Sequence, residues 1–396
     1  MSKARRAACV FLAMFLFALV NGTMGPLLTK TIDHYALAES QQGLAVAMLN
    51  VGCIAALLSS LWVMGRIKKP NLLWLASAAT AALMAPLAIP PPFGAYASLF
   101  LLVGVALGYT DTLSSSSIAD LYAGDERKSA AMMCMLHAVF GSAGILSPIA
   151  YRALMDAGLA WNRIYWILCA FGAAALAYIA PTGARWAREA ERADAARVSL
   201  AEMGRFVRDR GRALILLAIF LYGAYLSGVT VWIDRYVSVT LGRADLGALS
   251  LSLFWLGLTA SRLISPLIRL RPTTLIRIAC YATSAILAVG IAASNAAFLC
   301  AAGAVAGLFS GAIIPLLLHV ACRQYPSNTL LATTFLFLAL YSAQSVFPPM
   351  MGYIESVGGL RLAMLVCPAA LFGCGLAAQF MRGEKPPRPE GAAGDS

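Results

Sequence analysis

The chain reads as an all-α polytopic membrane protein, twelve transmembrane helices in two pseudo-symmetric six-helix bundles, and three observations carry that reading. Its 396 residues are 60% hydrophobic and only 12% charged, against about 25% charged in a soluble domain. Apolar stretches recur twelve times, each close to the roughly 20 residues that a helix needs to cross the hydrocarbon layer. One long polar stretch, 181–212, divides them six and six.

Spanning segments are expected near 7–29, 44–64, 72–90, 96–118, 130–151 and 162–180, then near 213–235, 246–268, 274–293, 297–321, 329–352 and 359–381. Short runs with period-2 alternation, the mark of a membrane β-barrel, are absent, which leaves helices as the means of satisfying the backbone in lipid. Lys3, Arg5 and Arg6 before the first run imitate a signal peptide, but no small-residue cleavage site closes it. It is therefore kept as the first spanning helix. The organisation is an N-terminal bundle over 1–180, a cytoplasmic connector with a surface helix over 181–212, a C-terminal bundle over 213–381 and a disordered cytoplasmic tail over 382–396. Within the connector the Ala-rich, charge-alternating run from Trp186 to Val198 is expected to lie as a helix on the membrane surface.

Lys and Arg in alternate connections set the orientation. With the N-terminus inside, 23 basic residues are cytoplasmic; six lie outside and Arg262 is left within a helix. Both termini are expected in the cytoplasm of a multi-pass cell-membrane protein, most simply a bacterial inner-membrane one. The net charge of +12 then belongs to lipid-facing loops and not to a nucleic-acid interface. Nine cysteines sit in or at the ends of apolar segments with no Cys-x-x-Cys, so neither a disulfide framework nor a zinc site is expected. No Gly-rich loop ends in Lys-Ser or Lys-Thr, and the three histidines His34, His137 and His319 are dispersed; no enzyme activity, cofactor or metal is expected.

Two six-helix halves around a basic connector point to a secondary transporter with its site between the halves near mid-membrane. Ionisable residues inside helices mark such a site, because a charge at the bilayer centre costs several kcal/mol unless it is paired, hydrated or used. Asp111, in the fourth segment within Gly108-Tyr109-Thr110-Asp111-Thr112-Leu113-Ser114-Ser115-Ser116-Ser117, is the strongest candidate and the expected proton-coupling residue, the driving ion being H+. A structural acid bonded to its neighbouring hydroxyls is the competing reading. His137 can bond a substrate hydroxyl, exchange a proton or tie a neighbouring helix. Arg262 is expected to snorkel or to fasten helix ends. Asn21, Asn50, Tyr222, Tyr225, Trp232, Tyr341 and Gln344 complete the candidate substrate-binding set with Asp111 and His137, since amides and flat aromatic faces suit a sugar or similar polyol. Trp232 equally suits an interfacial anchor near the outer end of its helix.

Several strings resemble the major facilitator superfamily, and within it the fucose–galactose–glucose:proton symporter branch. Leu136-His137-Ala138-x-Phe140-Gly141-x-x-Gly144 with Pro148 is similar to that branch's fifth helix. Asp111-Thr112 and the serines resemble its fourth-helix acidic segment, with Ser115 where an Asn is usual. Tyr222-Gly223-Ala224-Tyr225 through Trp232 looks like its seventh helix, with Tyr225 at the glutamate place, and Gly257 to Arg262 matches its eighth. Gly307, Gly311 and Pro315 fit its tenth. The superfamily's loop between helices two and three is degraded here to Ser60 through Lys69, with Met64 for its acid and Lys68 and Lys69 keeping the basic end as gating candidates. Where the branch's fucose transporter uses a first-helix acid, this chain has Gly25. The resemblance implies proton-coupled sugar transport by alternating access through a monomer whose partners are its substrate and membrane lipids; a proton-coupled exporter of amphipathic drugs or metabolites is the alternative.

Overall fold

A computed structural model describes residues 1–24, 26–37, 44–63, 66–189 and 200–381. Gly25, Met64 and the tail 382–396, all named above, lie outside the described residues.

The first segment is interrupted where a single helix over 7–29 is expected. Ser2 caps α1 (Lys3–Asn21), which gives way to a tighter turn at Gly22–Met24 before α2 (Pro26–Tyr35) begins. Proline opens α2 at a position where its missing amide hydrogen leaves no helical bond unmade. The first bundle continues with α3 (Leu44–Val63), α4 (Lys69–Leu87), α5 (Phe93–Leu121), α6 (Glu126–Asp156) and α7 (Arg163–Glu189). Asp125 starts α6 sharply by accepting from the Lys128 amide at 2.9 Å.

The sixth spanning helix does not stop near 180 but runs through Pro181 to Glu189. Trp186 to Glu189 therefore extend α7 instead of beginning a surface helix, and the remainder of that expected helix, 190–198, lies outside the described residues. The apolar face of this extension explains the difference: Trp186 and Ala187 are buried, and Lys68 donates to the Ala187 carbonyl at 2.6 Å. A short helix, α8 (Leu200–Arg208), follows. It inserts Phe206 against Tyr325 and Phe335 of the second half, with ring centroids 5.2 Å away in each case.

The second bundle comprises α9 (Arg210–Arg235), α10 (Ala244–Ile264), α11 (Pro272–Ala292), α12 (Ala296–Ser310), α13 (Ile313–Gln324), α14 (Thr329–Met364) and α15 (Val366–Gln379). The tenth segment is broken at Gly311–Ala312 into α12 and α13. The eleventh and twelfth are joined through α14, whose regular geometry fails at Gly359 (φ 80°, ψ 161°), a conformation that a side chain would resist. Among the described residues ten helices are long and apolar enough to cross a bilayer, and the shorter apolar helices Ala47–Ser60 and Val366–Gln379 fill the second and twelfth places.

The same packing device recurs in both halves. In the first, Gly52 of α3 lies against the backbone of α5 at Leu101, and Gly104 of α5 against the Leu49 carbonyl. In the second, Gly257 of α10 lies against Ala304 of α12, and Gly307 against the Phe254 carbonyl. Bare backbone on both partners brings these helices closer than side chains would allow, which is how small residues hold helices together where lipid offers no hydrophobic drive. The second and fourth helices of each bundle therefore pair alike.

Candidate substrate and proton site

Among the described residues the two bundles are joined by polar contacts on one side. The end carrying residues 66–69, 122–128 and the connector is called the connector side. There Lys69 Nζ donates to Asp120 Oδ2 (2.6 Å) and Thr329 Oγ1 (2.8 Å), and Thr329 donates to Asp120 Oδ1 (2.6 Å). Arg323 donates to the Ala123 carbonyl (3.2 Å) and pairs with Glu126 (3.6 Å). Deeper in, Ser60 meets Thr334 (3.1 Å), Thr112 donates to Thr333 (3.3 Å) and Ser129 meets His319 (3.2 Å). Among the described residues every inter-bundle hydrogen bond and ion pair lies between these contacts and mid-membrane; none ties the bundles on the opposite side.

Asp111 ends this ladder. It is almost fully buried on α5, where its Oδ2 accepts from the Tyr341 hydroxyl of α14 at 3.2 Å, so the strongest sequence candidate touches the other bundle directly. The Cys53 thiol of α3 lies beside the same pair. Among the described residues Oδ1 has no partner, nor do the buried hydroxyls of Ser114 and Ser115. Positions 111, 114 and 115 share one face of α5. That face presents a run of unmet hydrogen-bonding capacity in a medium where unmet polar groups are costly.

Arg262 is 2% exposed and does not snorkel. Its Nε donates to the Gly311 carbonyl at the α12–α13 break (3.0 Å) and its Nη1 to the His137 carbonyl of α6 (3.1 Å). The cation thus ties α10 to the α12–α13 break within its own bundle and, through the His137 carbonyl, to α6 of the other. Gly141, one turn beyond His137, lies against Thr259 and Arg262. The His137 ring is buried with Nε2 unpartnered. Arg262 and Asp111 are electrostatic neighbours but form no ion pair.

The remaining candidates divide. Asn50 is one turn from Cys53 and Gln344 one turn from Tyr341 on the same helix faces; both are half-buried, as is Asn21 at the end of α1. Tyr222 and Tyr225 are completely buried inside the second bundle. Tyr222 donates to the Ser310 carbonyl (3.1 Å) and Tyr225 meets the Ser310 hydroxyl (2.8 Å), so both brace the end of α12 next to the carbonyl that Arg262 holds. Their phenols are spent on protein partners in this arrangement, whereas the sequence placed them on the cavity wall. Trp232, about 10 Å further along α9, packs on Gly352 and does not join the Asp111 group. Lys68 and Lys69 lie at the connector side, away from the mid-membrane group.

Reading the sequence missed Asp120, Ser60, Ser310, Thr329, Thr333 and Thr334. Asp120 alone carried a signal, an acid one helix away from a loop that had lost its own acid at Met64. The hydroxyl residues resemble dozens of others in membrane helices.

With this geometry in view, the comparisons are informative. The sequence profile described as Major Facilitator Superfamily matches residues 10–288. No curated protein matches the chain. Among solved structures, FucP in the outward conformation superposes with a TM-score of 0.80 at 15% identity, covering 97% of this chain and 100% of that one. The human organic anion transporter MFSD10 (TETRAN) gives 0.77 at 15% identity, covering 96% and 100%. The proton:xylose symporter XylE bound to 6-bromo-6-deoxy-D-glucose gives 0.72 at 15% identity, covering 96% and 95%. Such distant likenesses speak for the fold, and the profile spans most of the chain: the protein belongs to the Major Facilitator Superfamily.

Proposed function

We propose that the protein is a secondary active transporter that moves a small polar solute, with a sugar favoured, by alternating access and proton symport through Asp111. The observation that carries the reading is the Tyr341–Asp111 hydrogen bond between the bundles. For the connector side to open, α14 must leave α5 and this bond must break. A carboxylate stripped of its donor at mid-membrane is costly, whereas a protonated one is not. Proton binding therefore favours opening of the closed side, and the amide and hydroxyl groups of Asn50, Gln344, Ser114 and Ser115 provide a solute with neutral partners. The fold likeness to FucP, the E. coli fucose:proton symporter, and to XylE supports the sugar reading.

A second reading, a proton-coupled exporter of amphipathic metabolites, gains from Arg262. This buried cation has no carboxylate partner among the described residues, and an anionic solute would complement it, in keeping with the likeness to an organic anion transporter.

The connector side is cytoplasmic on the distribution of Lys and Arg, which puts both termini inside, in a bacterial inner membrane, with a monomer as the working unit. The connector is 181–212, between bundles 1–180 and 213–381. A cysteine at position 199 should label only from the cytoplasm; labelling from outside intact cells overturns the orientation.

The deciding experiment is uptake into proteoliposomes with and without an imposed proton gradient. Saturable, stereospecific sugar uptake that accumulates with the gradient supports the proposal. Uptake confined to organic anions or dyes decides for the second reading.

A further inference from the structure

A cavity of about 370 Å³ opens on the connector side between the bundles, away from Asp111. Its first-bundle wall is the start of α6, with Glu126, Arg127 and Ala131; its second-bundle wall is the α10–α11 connection, with Arg269, Arg271 and Leu275. Arg127, Arg269 and Arg271 are exposed and form no ion pair among the described residues, while Glu126 is engaged by Arg323 at 3.6 Å. Three arginines thus converge on one mouth whose single acid is already partnered.

The cavity continues into a second one of about 200 Å³, which shares Ser265, Ile268, Leu275 and Leu316 with the first. That extension runs over the outer surface of α10, α11 and α12, where Ile264, Ile278, Leu308 and Phe309 are exposed. Its lining is aliphatic and aromatic apart from two serines, Ser261 and Ser265. A basic mouth at the end of the spanning helices, leading into an apolar groove beside them, has the polarity sequence of one molecule: an anionic headgroup followed by an acyl chain.

We propose that this double cavity binds an anionic glycerophospholipid, its phosphate held by Arg127, Arg269 and Arg271 and one acyl chain lying along Ile268, Leu275 and Phe309. Because the arginines come from both bundles, the bound lipid bridges them on the side already closed and stabilises the arrangement described here. A free phosphate compound would use the mouth but leave the groove unused.

The test uses the full chain purified in detergent, incubated with phosphatidylglycerol or phosphatidylcholine and weighed intact by native mass spectrometry. One phosphatidylglycerol is retained in preference to phosphatidylcholine, and it survives an excess of glycerol phosphate. Each arginine replaced in the series R127A, R269A, R271A lowers retention about fivefold. Leu275→Trp, which fills the groove and leaves the charges, lowers it as well. An equal loss of charge elsewhere on the connector side, R188A with R205A and R208A, leaves retention unchanged. Melting temperature measured alongside rises with phosphatidylglycerol in the unsubstituted protein and not in the triple variant. Retention by the triple variant equal to that of the unsubstituted chain overturns the site. Displacement by glycerol phosphate makes it a site for free phosphate compounds, and equal loss in the control variant reduces it to diffuse surface charge; either also overturns the proposal.

Discussion

Tyr341 on α14 donates its phenolic hydrogen to Oδ2 of Asp111 on α5 across 3.2 Å, so an acid buried in the first bundle's interior is held by a residue of the second. Any motion that parts the bundles on the connector side must act on this bond. On the proposed function, the carboxyl's proton occupancy and the protein's conformation are linked through it.

Asp111→Asn mimics the protonated acid permanently. Exchange of preloaded substrate down its gradient should persist, while accumulation driven by an imposed pH gradient falls to the equilibrium level. Accumulation equal to that of the unsubstituted protein in proteoliposomes would remove Asp111 from coupling.

Asp120→Asn leaves Lys69 and Thr329 without their shared anion. The pair is partly exposed, with 28% and 42% of the Lys69 and Asp120 side chains accessible, and such pairs contribute about 0.2–1 kcal/mol after screening. A cysteine placed at the fully buried Ala332, in a background lacking the native cysteines, should then label faster, by about 1.4-fold to fivefold, as the connector side opens more often.

Arg262→Ala removes two charge-assisted bonds, to the Gly311 and His137 carbonyls. At about 1.5–3 kcal/mol per bond to a charged group, the loss should exceed that from most surface changes and appear as a lower melting temperature in detergent. Arg262→Lys, with one compact donor head that cannot span both carbonyls, should fall between the two. An unchanged melting temperature for Arg262→Ala would show that the bridge contributes nothing to joining the bundles.

Gly307→Ala drives a methyl group into the Phe254 carbonyl, whereas a methyl at Gly303 meets its nearest neighbour, Ile233 Cδ1, at 3.6 Å. Gly307→Ala should destabilise by about 1–3 kcal/mol, as overpacking does, with Gly303→Ala close to neutral. Thermal unfolding of both variants side by side checks the contrast.

Membrane class, the recurring apolar helices and an acid inside one of them, Asp111, were legible from residues alone, because the cost of exposing apolar length to water or a charge to lipid is set locally. Arg262 was legible as an oddity for the same reason. Its partners were not, since they are backbone carbonyls, one made available where α12 breaks and the other brought within reach only by the packing of α10 against α6. Tyr222 and Tyr225 read as cavity-lining from their helix, yet a helix turns about 100° per residue, and only the rotation of α9 within its bundle aims both phenols at Ser310. Likewise nothing in Thr329, Thr333 or Thr334 distinguishes them from other membrane hydroxyls until α14 is laid against α3 and α5. The tertiary structure alone decided which side is closed, because closure is a property of paired surfaces, and pairing depends on the tilt and rotation of helices that hydropathy along the chain does not encode.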